Sequence, residues 1–247
     1  MFRGHAFASS YEVLTTVVPH ASTQTTVIDL ACGDGFLLEL LAMRAQPGMR
    51  LTGVDMSVAE LELARTRLGP TITLLQAKAQ DLPIPSGDTD YLLCHLALML
   101  MDDAEQVLRE IHRVLRPGGT LAAIVGAAPP PTPAFKTYVE ILAKYPRVAQ
   151  FSELRFGDRR FRNRDGILEI LAPAFENISI DEIHISKRIT PEEHWLWLLD
   201  MYDLYLLNEA DRTAIHHEYL SAAAAHCDRE GKLEYLQTLR FLSATAA

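Results

Sequence analysis

Short all-apolar runs alternate along this chain with stretches in which apolar residues recur every third or fourth position, the patterns of buried strands and of helices that bury one face. Val27-Ile28-Asp29-Leu30-Ala31 reads as a buried strand. Gly33 and Gly35 mark a tight turn, and Phe36, Leu37, Leu38, Leu40 and Leu41 form the apolar face of the next helix. "MRLTGVDMS" is a second strand that ends in Asp55, followed by the helix "SVAELELARTRL", for which Ser57 and Glu60 make a capping box. "TITLLQA" predicts a third strand and "DTDYLLCHLALML" a fourth. "DDAEQVLREIHRVL" predicts a helix that buries Val107, Leu108, Ile111, Val114 and Leu115, and "GTLAAIVG" a fifth strand. Such alternation implies right-handed crossovers and an α/β fold with a doubly wound parallel sheet, whose ligands sit at the carboxyl ends of the strands.

Beyond Val125 the rhythm changes. "GAAPPPTPAF" is a proline-broken loop, and an arginine-rich piece, "RFGDRRFRNRDG", follows. "GILEILAPAF" returns as a helix and "NISIDEIHIS" as a strand through Ile178, Ile180, Ile183 and Ile185. Thr190-Pro191-Glu192-Glu193 opens a helix with Trp195, Leu198, Leu199, Tyr202 and Leu206 on one face. "NEADRTAIHHEYLSAAAAHC" is another helix, and "KLEYLQTLRFLSATA" closes the chain as a strand antiparallel to the rest. At the other end, "HAFASSYEVLTTVV" reads as a helix.

A chain of 247 residues, 49% hydrophobic, has enough apolar side chains for one sizeable core with an appendage. Its 32 acidic against 23 basic residues, net charge -9, argue against a partner gripped by its phosphates, so nucleic acid is not expected. Cys32, Cys94 and Cys227 lack metal-ligand spacing and suit a reducing, cytoplasmic setting. The first residues lack a signal-peptide apolar region, and the longest apolar run, "YLLCHLALMLM", is too short to span a bilayer.

The turn after the first strand carries two carboxylates, Asp29 and Asp34. Glycine lets the backbone take positive φ there and lets a ligand approach the helix N-terminus. A pyrophosphate would be repelled by both carboxylates, whereas a ligand with an ammonium group and no phosphate would be attracted. The turn thus favours an amino-acid nucleoside over a dinucleotide. Leu38 also stands where a nicotinamide-dependent dehydrogenase needs the third glycine of Gly-x-Gly-x-x-Gly.

"VIDLACGDG", "LTGVDMS", "AKAQDLPIPSGDTDYLL" and "EIHRVLRPGGTL", in this order and spacing, resemble class I S-adenosylmethionine-dependent methyltransferases of the broad small-molecule type that includes ubiquinone-biosynthesis methyltransferases. The likeness runs from about Val27 to Val125, with the flanks matching in layout alone. It implies a Rossmann-like, mostly parallel seven-stranded sheet with a helical cap. Residues 1–26 would be a cap helix, 27–125 the cofactor-binding core, and 126–247 the substrate cap with the closing elements of the sheet. It further implies S-adenosyl-L-methionine as cofactor and methyl transfer to oxygen, nitrogen or carbon of a small organic acceptor in specialised or cofactor biosynthesis. The alternatives are a protein of the same fold that binds this cofactor for another step, and a non-catalytic partner subunit.

The resemblance also assigns roles. Asp29, with the turn Ala31, Cys32, Gly33 and Gly35, would hold the amino-acid end of the cofactor, and Tyr11 would meet its carboxylate. Asp55 would bind the ribose hydroxyls and Met56 the adenine face, with Ala79, Gln80 and Asp81 framing the adenine edge. Cys94, His95 and Leu96 would lie beside the methionine portion. Lys78 departs from the pattern, standing where relatives commonly carry an aspartate. His95, at the end of the fourth strand, is the candidate catalytic base, against a positioning or packing role. No metal site is expected, since adjacent His216 and His217 point to different sides of a helix.

For the acceptor, the Trp195 and Tyr202 stripe suits an apolar pocket, core packing or a homodimer contact, with core packing the simplest reading. The arginines from Arg155 to Arg164 suit an acidic or phosphorylated acceptor or a solvated loop.

Overall fold

The apolar runs become strands of one seven-stranded sheet, ordered β3-β2-β1-β4-β5-β7-β6. The structure is a computed structural model that describes residues 9–20, 24–127, 131–145, 157–199, 204 and 207–247. β1 (Thr25–Leu30) pairs in parallel with β2 (Met49–Asp55) and with β4 (Thr89–His95); β3 (Thr73–Gln76) extends the sheet beyond β2, and β5 (Leu115–Gly126) lies beside β4. β7 (Leu233–Ala246) runs antiparallel to β5, and β6 (Phe175–Ile189) forms the edge.

Around the first half lie α1 (Ser10–Thr15), α2 (Phe36–Ala42), α3 (Val58–Leu68) and α4 (Ala104–Val114). The cap read from sequence at Ser57 forms: its side chain accepts the Glu60 N–H. α4 buries Val107, Leu108, Ile111 and Val114 against Ile28, Leu30, Val54 and Leu92 of the sheet. Each such fully buried side chain contributes about 1.5–3 kcal/mol. Leu38 of α2 and Leu61 of α3 pack with Cys32 in a separate cluster.

The chain folds into two compact units. The first is Met1–Ala127, Phe156–Ile183 and Leu239–Ala247; the second is Ala128–Arg155 and His184–Thr238. After α4 come α5 (Pro133–Leu142), α6 (Arg164–Leu171), α7 (Pro191–Leu199) and α8 (Glu209–Ala223). The second unit has its own core, including Tyr138, Trp195, Leu198, Ile215 and Tyr219.

Several boundaries differ from the sequence reading. β4 stops at His95, because Leu96 turns into the left-handed region (φ 51°) and Leu98–Leu100 form a 3-10 turn instead of continuing the strand. β5 begins at Leu115, ahead of the predicted start at Gly119. Phe175 opens β6 instead of ending a helix, and α8 gives way to a 3-10 turn over Ala224–His226. α1 starts at Ser10; the earlier part of the segment read as helix, from His5 to Phe7 and Ala8, lies outside the described residues, as do Tyr202, Leu206 and Arg155.

Candidate cofactor site

The site is built at the carboxyl ends of β1, β2 and β4. Asp29 sits one residue before the end of β1, with Gly53 of β2 and Leu93 of β4 as its register partners. It is 2% exposed, and its Oδ2 is buried with no hydrogen-bond partner among the described residues. Burial and then the charge of Asp55 hold this carboxyl well above the ordinary carboxylate range. An unpartnered carboxyl oxygen in such a place is costly unless a ligand answers it.

After β1 the backbone doubles back. Ala31 (φ 58°), Gly33 (φ 52°) and Gly35 (φ 82°) all take left-handed conformations, so the turn exposes backbone where side chains would otherwise stand. At Gly35 a Cβ would come within 2.7 Å of Leu68 Cδ1 and 3.2 Å of Ala64 Cβ, so this glycine also permits the close approach of α3. Asp55, at the end of β2, accepts the Gly33 N–H at 2.9 Å and the Ser57 N–H at 2.8 Å, tying the second strand end to the turn. Asp34 is engaged differently: Arg67 of α3 pairs with it and with Glu39, and stands 5.5 Å from the centre of the Phe36 ring. Of the two carboxylates flagged at this turn, Asp34 is neutralised and Asp29 is not.

His95 closes β4 beneath α1. The Tyr11 ring stacks on the imidazole with centroids 3.6 Å apart, Phe36 meets Tyr11 edge-on at 5.0 Å, and Ser10 Oγ lies 2.9 Å from His95 Nε2. Burial lowers the His95 pKa to about 4, so the imidazole is neutral at neutral pH. Arg44 anchors the end of α1 by donating to the Thr15 and Val18 carbonyls at 2.6 and 2.8 Å.

Residues 28–123 match the family model described as a methyltransferase domain. Among relatives, the demethylmenaquinone methyltransferase of Listeria welshimeri is 32% identical over 125 residues, which are 49% of this chain and 52% of that protein. The trans-aconitate 2-methyltransferase of Paracidovorax citrulli is 31% identical over 172 residues, 69% of this chain and 64% of that protein. The chain thus spans about half the length of the first of these relatives. A solved structure from Bacillus halodurans superposes with a TM-score of 0.62 at 15% identity, covering 96% of this chain and 98% of that one. Residues 28–123 thus carry a methyltransferase domain, whose cofactor is S-adenosylmethionine.

The methyltransferase domain presents a donor set that fits its cofactor. A buried unpartnered carboxyl oxygen suits a cationic amino acid, and a carboxylate at the end of β2 suits ribose hydroxyls. Met56, beside Asp55, is 67% exposed, which leaves its side chain available to a flat ring.

The segment after β3 is less simple. Ala79 is buried in the core, and Gln80 spans to α4, donating to the Asp102 carbonyl at 2.6 Å while its own carbonyl accepts from Gln106 at 3.0 Å. Lys78 and Asp81 are exposed and joined through a turn, with the Asp81 N–H donating to the Lys78 carbonyl at 3.1 Å. The Gln80 amide nitrogen is committed to holding the loop. Cys94 is fully buried, and burial followed by the Asp29 charge pushes its thiol up to about 12. Cys32 is driven upward for the same reasons.

Two members of the arginine cluster have partners within the protein. Arg160 pairs with Asp158 and Glu105, and Arg164 donates to the Ile180 carbonyl at 2.7 Å. Trp195 is 6% exposed, stacks on His216 at 4.7 Å and belongs to the second unit's core. Sequence reasoning missed three contributors: Ser10, which reaches His95; Arg67, which neutralises Asp34; and Gly53, where a Cβ would lie 2.8 Å from Cys32 Sγ. A glycine inside an apolar strand was the signal for the last. The other two depend on pairings across 85 and 33 residues.

Proposed function

We propose that this protein transfers the methyl group of S-adenosylmethionine to oxygen, nitrogen or carbon of a small organic acceptor in specialised or cofactor biosynthesis. The observation that carries the reading is the buried, unpartnered Asp29 Oδ2 at the glycine turn, next to Asp55 at the end of β2. When bound, the cofactor supplies an activated methyl on a sulfonium cation, so the chain has mainly to bind, orient and exclude water.

In this reading Asp29 and the backbone of Ala31, Cys32, Gly33 and Gly35 hold the cationic amino-acid end, with Tyr11 beside it. Asp55 takes the ribose hydroxyls and Met56 the adenine face. Ala79, Gln80 and Asp81 frame the adenine edge through their backbone, and Cys94 and Leu96 line the methionine side. His95 faces the acceptor as a neutral imidazole. Held by Ser10 and Tyr11, with its pKa lowered to about 4, it is a weak base that suits orienting an acceptor or taking a proton from an acidic one.

Both relatives are named for small organic acceptors, demethylmenaquinone and trans-aconitate, and an apolar acidic acceptor is the class to screen first. No described helix is long and apolar enough to cross a membrane, and the three cysteines are free, which suits a cytoplasmic enzyme. Calorimetric titration with S-adenosylmethionine, its demethylated product and NAD tests the reading. Micromolar binding of the first two without NAD is the expected result; NAD binding, or no binding of the sulfonium pair, would overturn it.

A further inference from the structure

We propose that Asp29 stands as the uncharged acid in the cofactor-free protein and gives up its proton when the cationic end of S-adenosylmethionine arrives, so that cofactor capture is coupled to proton release. The inference rests on the cofactor reading above and concerns how that site is regulated.

The geometry carries it. Asp29 is enclosed in the middle of the sheet between Gly53 and Leu93, and Oδ2 meets no donor among the described residues. A carboxylate buried without a cation or a full set of donors is unstable as the anion, and it lowers its cost by keeping a proton. The groups around it do not relieve that cost. From β2, Asp55 brings a second negative charge, held between the Gly33 and Ser57 N–H groups. The turn contributes Cys32 and Asp34, and β4 contributes Cys94 and, at its end, His95.

The thiols and the Tyr11 hydroxyl on α1 are themselves held protonated, first of all by burial. His95 is neutral. Among the described residues Arg67 of α3 is the cation that acts on this group, and it is bound to Asp34 and Glu39. Each of these neighbours is therefore neutral, negative or already paired. An ammonium or sulfonium group supplies the missing positive charge and makes the ionised form of Asp29 the stable one.

The balance is simple. The O–H bond of the Asp29 carboxyl breaks, its proton passes to solvent, and the carboxylate pairs with a ligand whose charge is unchanged. While Asp29 is protonated in the free protein, affinity rises about tenfold per pH unit, and it levels off once the free protein has lost that proton. The same linkage makes S-adenosylmethionine bind more weakly in acid than its own ionisation would require.

The test is calorimetry of the whole chain with S-adenosylmethionine in phosphate and in Tris at matched pH, across the neutral range. The expected result is a difference in apparent enthalpy that corresponds to nearly one proton released per cofactor at the acidic end. It shrinks toward the alkaline end and is lost in Asp29→Asn. Heats independent of buffer at every pH in the unmodified protein would overturn the proposal, as would an Asp29→Asn protein that releases the proton undiminished.

If that variant fails to fold, infrared difference spectra of the unmodified protein decide. Loss of a protonated-carboxyl stretch on adding cofactor supports the coupling, and its absence refutes it. A cofactor that binds without proton exchange defeats only this inference, whereas a protein that binds no cofactor defeats the function proposed above.

Discussion

Asp29 and Asp55 stand at the carboxyl ends of neighbouring strands, yet their surroundings separate their tasks. Asp55 accepts two backbone N–H groups and so braces the glycine turn, while Asp29 has a buried oxygen that nothing in the described protein answers. Replacing Asp55 with alanine removes both braces together with any bond to a ligand. Charge-assisted hydrogen bonds of this kind contribute about 1.5–3 kcal/mol, so Asp55→Ala should weaken S-adenosylmethionine binding roughly ten- to a hundredfold, read by calorimetry on protein shown to melt cooperatively. Both aspartates were legible in the sequence because each is a carboxylate set in or at the end of an apolar run just before a turn. Asp34 was legible only as a charge: that it faces Arg67 and not a ligand depends on how α3 packs beside the turn. His95 was legible as a strand-end histidine, but its low pKa comes from burial under α1.

At the scale of elements, the strand-turn-helix unit from β1 to α2 is held by its backbone as much as by its side chains. Gly35 is the N-cap of α2 with φ 82° and has no side-chain cap to lose. A methyl there meets Leu68 and Ala64 of α3, so Gly35→Ala combines left-handed strain with a clash. Such positions cost about 1–3 kcal/mol, and the variant should melt at lower temperature, with cofactor affinity falling as the turn shifts. Gly157 shows the same constraint away from the site, since a Cβ there would lie 1.9 Å from the Met99 carbonyl. Helix identities followed from periodicity and caps, as at Ser57 and at Asn208, which caps α8. Element ends did not follow, because Leu96 and Phe175 change conformation for reasons of register and packing that their own apolar character does not reveal.

Across the whole molecule, two histidines, one half-buried and one buried, set an acid limit. His95 in the first unit and His194 in the second both have pKa values lowered by burial from 6.5 to about 4, His194 with its Nδ1 bonded to the Tyr219 hydroxyl. Below about pH 6.5 the unfolded chain binds protons at these histidines that the folded chain refuses, so the stability they allow is lost as pH falls from 6.5 toward 4. Denaturant midpoints should decline through that window, and His194→Gln should flatten the decline; an unchanged slope would place the acid sensitivity elsewhere. Alternating apolar runs, caps and the four motifs determined by themselves the α/β class, the parallel strands and the aspartates that stand at their carboxyl ends, because these are properties of neighbouring residues. The tertiary structure alone decided the order β5-β7-β6 on that side of the sheet and that Phe156–Ile183 belongs to the first unit. It alone decided, too, that Asp34 and Arg160 are paired while the Asp29 Oδ2 is left without a partner among the described residues. Burial and charge pairing are set by residues distant in sequence, and no local pattern records which of them meet.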